Sequence, residues 1–282
     1  MNDELHEWLS PELALRWPLA RRLTRITSPY QKIEVWQTGE FGRLFTLDDK
    51  LMTSEGDEWL YHEPLNQIPA MTHPNPRRAL IIGGGDGGSA RQLLKHASLQ
   101  EIVLCELDAE VITMARHYLP LVHQGALDDP RVRIVIGDGL LYLQRSQECF
   151  DLIIFDLTDP QGVAAPLYQV ESLRHCQRLL GEQGLLSLHL GSPQLQAQRC
   201  VELMQALRAV FSCVRPVLTP VLLYGGLWSL ACASQLWDPK ALDAPTIAQR
   251  LAERQIQGLH YYTAETHVAC LALPNFMQQL LS

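Results

Sequence analysis

Residues Ala79–Gly88 read ALIIGGGDGG, an apolar run that passes directly into a glycine-rich turn with one carboxylate, Asp86, inside it. Three glycines before Asp86 and two after it let the backbone turn sharply and come close to a ligand. The residues that follow, Ser89 to His96, repeat apolar positions at helical spacing. Strand, tight glycine turn and helix in that order form the first unit of a nucleotide-binding α/β sheet.

Outward from this unit, apolar strands alternate with helical patterns. Strands are expected at Ile102–Leu107, Arg133–Ile136, Leu152–Phe155 and Leu185–Leu190, with helices near 89–96, 109–118, 139–145, 167–180 and 194–210. The alternation predicts a parallel sheet covered on both faces. Val214–Leu218 and Leu227–Ala233 would complete it as an antiparallel pair at one edge. On the N-terminal side, Tyr30–Met52 carries hairpin signals, short alternating runs broken at Gly39 and Asp48-Asp49. Asp57–Ala70 reads as a helix despite Pro64, and residues 1–24 as a short helix or an irregular lead-in. The expected fold is α/β: a Rossmann-like, methyltransferase-type sheet over 74–282, preceded by a small N-terminal β-strand domain over 1–73.

The chain has 282 residues, 47% hydrophobic and 19% charged, with a net charge of −8. That length suffices for a buried core. The acidic balance argues against a nucleic-acid partner, which needs a basic face. Seven scattered cysteines without C-x-x-C spacing predict free thiols in a reducing compartment. No histidine pair stands at a recognisable ligand spacing with acids to complete a shell, so no metal is expected. The acidic start is no secretory signal, and no apolar run approaches membrane-spanning length. These features predict a cytoplasmic protein with no membrane partner.

Sheets of this kind bind ligands beyond the carboxyl ends of their strands. Acids fall there repeatedly: Asp86 after the first strand, Glu106 and Asp108 at the second, Asp138 at the third, Asp156 and Asp159 at the fourth. One such acid is ordinarily a helix cap; four successive strand ends carrying acids point to a site. Glu106 stands roughly 20 residues after the glycine turn, where these folds use an acid to hold ribose hydroxyls. A pyrophosphate needs N–H groups and a positive helix end, so Asp86 would repel a dinucleotide. Asp86 suits a cation beside adenosine, such as an S-adenosyl sulfonium.

The segment Asp151–Tyr168, DLIIFDLTDPQGVAAPLY, places Asp156 and Asp159 three apart before a loop long enough to act as a lid. Two nearby acids can divide labour, one removing a proton and the other holding a positive charge.

GGGDGG at 83–88, YHE at Tyr61-His62-Glu63, CELD at 105–108, GDG at 137–139 and DLTDP at 156–160 resemble the motifs of the polyamine aminopropyltransferases, above all spermidine synthase. The resemblance runs from Ser28-Pro29-Tyr30-Gln31 to Ala272-Leu273-Pro274-Asn275-Phe276. It implies transfer of the aminopropyl group of decarboxylated S-adenosylmethionine to putrescine, giving spermidine and 5′-methylthioadenosine. The nucleoside is then a co-substrate, no cofactor is needed, and the assembly is a homodimer or homotetramer. By the same resemblance, Asp156 is the catalytic base and Asp86 holds the aminopropyl ammonium. Glu106 holds the ribose, Asp138 with Gly139 the adenine edge, and Gln31 contacts the nucleoside. Tyr61, His62 and Asp159 line the polyamine channel with Asp86 and Asp156.

The chain departs from the family pattern at Leu157, at Val163 and Ala165 within Gly162–Pro166, at Leu223 and at Met52. These changes cluster near the lid and the acceptor, leaving cadaverine, agmatine or a longer polyamine open as alternative acceptors. Two further readings stand beside this one. A methyltransferase using S-adenosylmethionine would share the sheet, and a non-catalytic polyamine or nucleoside sensor would share the pocket.

Overall fold

Alternation of side chains along the strands builds two cores back to back. The computed structural model of the chain describes residues 4–158 and 162–281. Three N-terminal strands open it: β1 (Leu5–Ser10), β2 (Leu13–Trp17) and β3 (Arg21–Thr27). The expected helix or irregular lead-in over residues 1–24 is thus corrected, because β1 and β2 pair antiparallel and β3 joins the next sheet. Leu23 and Ile26 stand three apart, a spacing that hides the strand, and a register shift between Arg22 and Thr24 breaks the strict alternation along β3.

Strands β4 (Lys32–Gln37), β5 (Arg43–Leu47) and β6 (Lys50–Ser54) follow as antiparallel neighbours, giving a four-stranded sheet in the order β3-β4-β5-β6. Helix α1 (Trp59–Thr72) then crosses to the larger sheet and packs against the elements of that layer. Within α1, Pro64 cannot donate to the Leu60 carbonyl. That carbonyl instead accepts a hydrogen bond of 2.6 Å from the Thr219 hydroxyl. The proline the sequence presents as an obstacle therefore leaves an acceptor that ties the helix to the sheet edge.

The larger unit runs β7 (Arg78–Gly83), α2 (Gly88–Leu94), β8 (Glu101–Glu106), α3 (Ala109–Tyr118), α4 (Pro120–His123), β9 (Val132–Ile136) and α5 (Gly139–Arg145). It continues through β10 (Leu152–Asp156), a 3-10 segment at Gly162–Tyr168, α6 (Val170–Leu180), β11 (Leu185–Gly191) and α7 (Ala197–Arg208). Strands β12 (Cys213–Val221) and β13 (Gly226–Ser234) come next, then helices α8 (Ala244–Glu253), α9 (Ala264–Cys270) and α10 (Asn275–Leu280). The expected helix at 167–180 is shorter, because Pro166 and the 3-10 turns occupy its first residues.

The seven-stranded sheet has the order β12-β13-β11-β10-β7-β8-β9. Its pairs from β11 to β9 are parallel, and β12 and β13 form the antiparallel edge expected from sequence. Ile81, Leu104 and Ile154 bury with α1 and α2 on one face, whereas Leu80, Ile82, Val103 and Phe155 bury with α6 and α7 on the other. Chain order reverses between β7 and β10, so the crevice at their carboxyl ends is the topological switch point. No described helix is long and apolar enough to cross a membrane.

The C-terminal segment is clamped onto α1. Fully buried Glu63 accepts hydrogen bonds of 2.8 Å from the backbone N–H groups of His260, Tyr261 and Tyr262. A carboxylate accepting three amides is a strong local tie, and removing it strands three donors. Glu63→Ala should lower the unfolding free energy by roughly 3 kcal/mol, read as a shift in denaturant midpoint at fixed protein concentration. Glu63→Gln, which keeps the shape and loses the charge, should cost less; an unmoved midpoint for the alanine variant would remove the clamp from the account.

Candidate active site

Asp156 ends β10 directly opposite Gly83 of β7. The two backbones touch closely: Gly84 N–H donates to the Asp156 carbonyl at 2.8 Å. A Cβ on Gly83 would lie 2.2 Å from that carbonyl oxygen, and Gly83 has a φ of +79°, so both sterics and backbone require glycine. The glycine turn therefore sets the acid at the end of β10 beside the acid inside the turn.

Asp86 uses its two oxygens differently. Oδ1 accepts from Gly88 N–H at 2.8 Å at the start of α2, while Oδ2 points to His62 Nε2 at 3.6 Å. Asp156 Oδ2 also lies 3.6 Å from the same Nε2, and it has no hydrogen-bond partner among the described residues. The other ring nitrogen, Nδ1, is 2.7 Å from Glu58 Oε2, and Glu58 in turn receives Arg91 at 2.6 Å. Gly88 makes room for the ring, since a Cβ there would come within 2.2 Å of His62 Cε1.

This geometry sorts the charges. Burial disfavours a charge on His62, but Asp86, Asp156 and Glu58 together outweigh it and hold the imidazole well above its ordinary value. Burial raises Asp86 to about 6, against the pull of His62 and with a push from Asp156. Burial also acts to raise Asp156, yet His62 prevails and Asp156 stays below the ordinary aspartate value. Two carboxylates in one site are thus driven apart, a pattern that separates roles. Burial, followed by the charge of Asp156, keeps the Tyr61 phenol protonated.

The nitrogen and oxygen atoms of His62, Asp86 and Asp156 lie within 4.8 Å of one another, a spacing a cation could bridge. With carboxylates facing both ring nitrogens, the resting His62 is held as the imidazolium, its N–H groups directed at those carboxylates. The slot suits N–H groups of an organic cation.

Along the sheet, Glu106 ends β8 with its carboxylate accepting from Asp108 N–H at 3.0 Å. Asp108 caps α3 and accepts from Ser28 Oγ at 2.6 Å and Gln31 Nε2 at 3.1 Å. Gln31 is therefore brought from the small sheet to the β8 end. Asp138 caps α5 through Leu140 N–H at 2.7 Å, with Gly139 buried behind it. Asp108 and Asp138 thus do serve as helix caps; Gly87 occupies the N-cap of α2, where Asp86 only accepts from the Gly88 N–H, and Glu106 and Asp156 cap no helix. Asp159 lies outside the described residues.

An aromatic wall stands on the β11 side. Tyr61 meets His62 and Tyr224 edge-on, Tyr224 leans on Trp228, and Trp228 stacks on His189 at 5.9 Å. Tyr168 bonds His189 Nε2 at 2.7 Å. Tyr224 donates its hydroxyl to the Met52 carbonyl, and Leu223 is buried with its N–H on Asp57. Sequence reading passed over Glu58, Arg91, Tyr168 and His189. Glu58 stood four residues before His62, a helical contact spacing, and His189 stood at the end of the fifth strand, so both signals were present.

Comparison with known proteins agrees with this geometry. The family model for the spermine/spermidine synthase domain matches residues 58–240, and that for the spermidine synthase tetramerisation domain matches residues 12–55. A polyamine aminopropyltransferase of Nitrosomonas europaea is 46% identical over 281 residues, covering 100% of this chain and 86% of that protein. Another, from a Ruegeria species, is 38% identical over 252 residues, covering 89% of this chain and 88% of its own length. A spermidine synthase crystallised with the transition-state analogue AdoDATO superposes with a TM-score of 0.88 at 37% identity, covering 95% of this chain and 90% of that one. The spermidine synthase of Thermotoga maritima gives 0.87 at 37% identity, covering 95% and 89%. The chain belongs to the spermine/spermidine synthase family and is a polyamine aminopropyltransferase.

Burial of Glu106 raises its carboxyl to about 7, against hydrogen bonds from neighbouring backbone N–H groups. A carboxyl raised on folding binds its proton more tightly in the native state, so stability falls as pH rises from about 4.5 to about 7. Glu106→Gln should flatten that decline by an amount on the order of 3 kcal/mol, measured by denaturant unfolding across this pH window. Parallel pH profiles for the two proteins would refute the burial argument.

Proposed function

We propose that this transferase moves the aminopropyl group of decarboxylated S-adenosylmethionine to putrescine, giving spermidine and 5′-methylthioadenosine. The observation that carries the reading is the convergence of Asp86 and Asp156 on one buried imidazole edge at the sheet's switch point. Both substrates are cations, and the slot is built from anions.

In this reading the sulfonium is already a good leaving group, so the chemistry calls for no metal, cofactor or covalent intermediate. The barrier lies on the acceptor, whose ammonium has a lysine-like pKa of about 10 and no free lone pair. Asp156, kept ionised, removes one ammonium proton while the nitrogen is held in line with the methylene beside sulfur. The new N–C bond forms as the C–S bond breaks, and its electron pair returns to sulfur as a neutral thioether. Asp86 would hold the donor's terminal ammonium and repel the carboxylate of ordinary S-adenosylmethionine. Glu106 and Gln31 would meet the ribose side, and Asp138 with Gly139 the adenine edge. Tyr61, His62 and Asp159 would line the acceptor channel.

A second acceptor remains a specific alternative, because Leu223 puts an apolar side chain in the buried turn beside the aromatic wall. Assembly into a homo-oligomer is proposed through the N-terminal strands, where Leu13 and Leu19 are exposed within the segment matching the tetramerisation model.

Incubation with decarboxylated S-adenosylmethionine and a panel of putrescine, cadaverine, agmatine and spermidine should yield mainly the putrescine product by mass. Methyl transfer from the carboxylated donor, or binding without product, would sink the proposal. Asp156→Asn should lower kcat by about 10²–10⁴-fold while 5′-methylthioadenosine affinity changes little. Asp86→Asn should narrow the preference for the decarboxylated donor; an unaltered donor ratio would contradict the repulsion argument.

A further inference from the structure

His62 is an imidazole fixed on every side. Its Nδ1 is anchored by Glu58, which Arg91 anchors in turn, and its ring lies against the Gly88 backbone where no Cβ would fit. The side chain is almost fully buried. Its Nε2 sits equidistant, at 3.6 Å, from the facing oxygens of Asp86 and Asp156. A ring held this way cannot swing aside to admit a ligand.

We propose that His62 carries a resting proton that fills the cation slot between Asp86 and Asp156, and that the substrate ammonium displaces this proton on binding. The inference rests on the amine-transfer reading above and adds to it a proton that the transfer chemistry does not require. Its logic is charge balance in a dry site. Without ligand, the imidazolium is the positive charge that faces both carboxylates, and burying them unpaired would be costly. When an ammonium enters, two cations would share the same two anions, and the more weakly held proton leaves. Neutral His62 keeps Nδ1–H on Glu58 and turns its Nε2 lone pair toward the slot, where it can accept from the ammonium.

The exchange also changes Asp156. Beside the imidazolium it is a poor base; once His62 is neutral, its affinity for the ammonium proton rises. The groups that face this exchange come from five elements. They are Asp57 and Glu58 at the entry to α1 with Tyr61 inside it, Asp86 of the glycine turn, Asp156 of β10, Ser89 and Arg91 of α2, and His189 of β11, the last acting through Asp156. Polyamine binding should accordingly tighten as pH rises, until the amine itself begins to lose its proton near about 10.

The test uses the full chain preloaded with 5′-methylthioadenosine and spermidine as the probe. Calorimetric titration near pH 7.5 in two buffers of different ionisation heat should show release of about one proton per site. His62→Asn should still bind the probe but release none. Histidine ¹⁵N NMR of the unmutated protein gives an independent reading: one resonance pair should be doubly protonated without spermidine and a neutral tautomer with it. A neutral His62 in the free protein, or binding without proton release in a preparation that forms product, would overturn this inference alone. Failure of both spermidine binding and product formation would overturn the reading of the reaction, and the inference with it.

Discussion

Like charges held close in a buried place define this protein. Asp86 and Asp156 arrive from adjacent strands, and the structure tolerates both only because His62 stands between them with Glu58 and Arg91 behind it. The cost of gathering these acids is met by a layered arrangement of opposite charges rather than by solvent. Such a site is poised for cations, and small changes in bound charge redistribute protons within it.

The surrounding fold serves that arrangement. The β7 turn can lie against β10 because glycine stands at 83, and the imidazole can lie against α2 because glycine stands at 88. Helix α1 delivers His62 and Tyr61 from one side, and its position is set by contacts remote from the slot. Thr219 satisfies the carbonyl that Pro64 leaves free, Asp57 receives Leu223 N–H, and Glu63 gathers the backbone of residues 260–262. In the YHE run, neighbouring residues thus have opposite destinations: His62 faces the slot while Glu63 binds structure.

Much of the architecture is legible from periodicity. The strand at 79–82, the four later parallel strands and the antiparallel edge pair stand where apolar runs and breakers place them. The N-terminal lead-in was not legible, since β1 and β2 are short, half-exposed strands that pair with each other and reach the core through only Leu5, Leu15 and Trp17. The helix with Pro64 was legible only as a conflict, because the hydroxyl that resolves it comes from a residue more than 150 positions later. Glu58 and His189 carried local signals, yet spacing alone cannot say which i,i+4 pair or which strand end faces a pocket.

Sequence by itself determined the strand-turn-helix unit, the acids at successive strand ends and the family pattern, because each depends on residues close together in the chain. Tertiary structure decided which of those acids meet. Asp108 and Asp138 turned to cap helices, whereas Asp86 and Asp156 came to one imidazole, a choice set by the order β10-β7-β8 within the sheet. Charge interaction depends on distance through space and on burial, and neither is written along the chain until the sheet has closed.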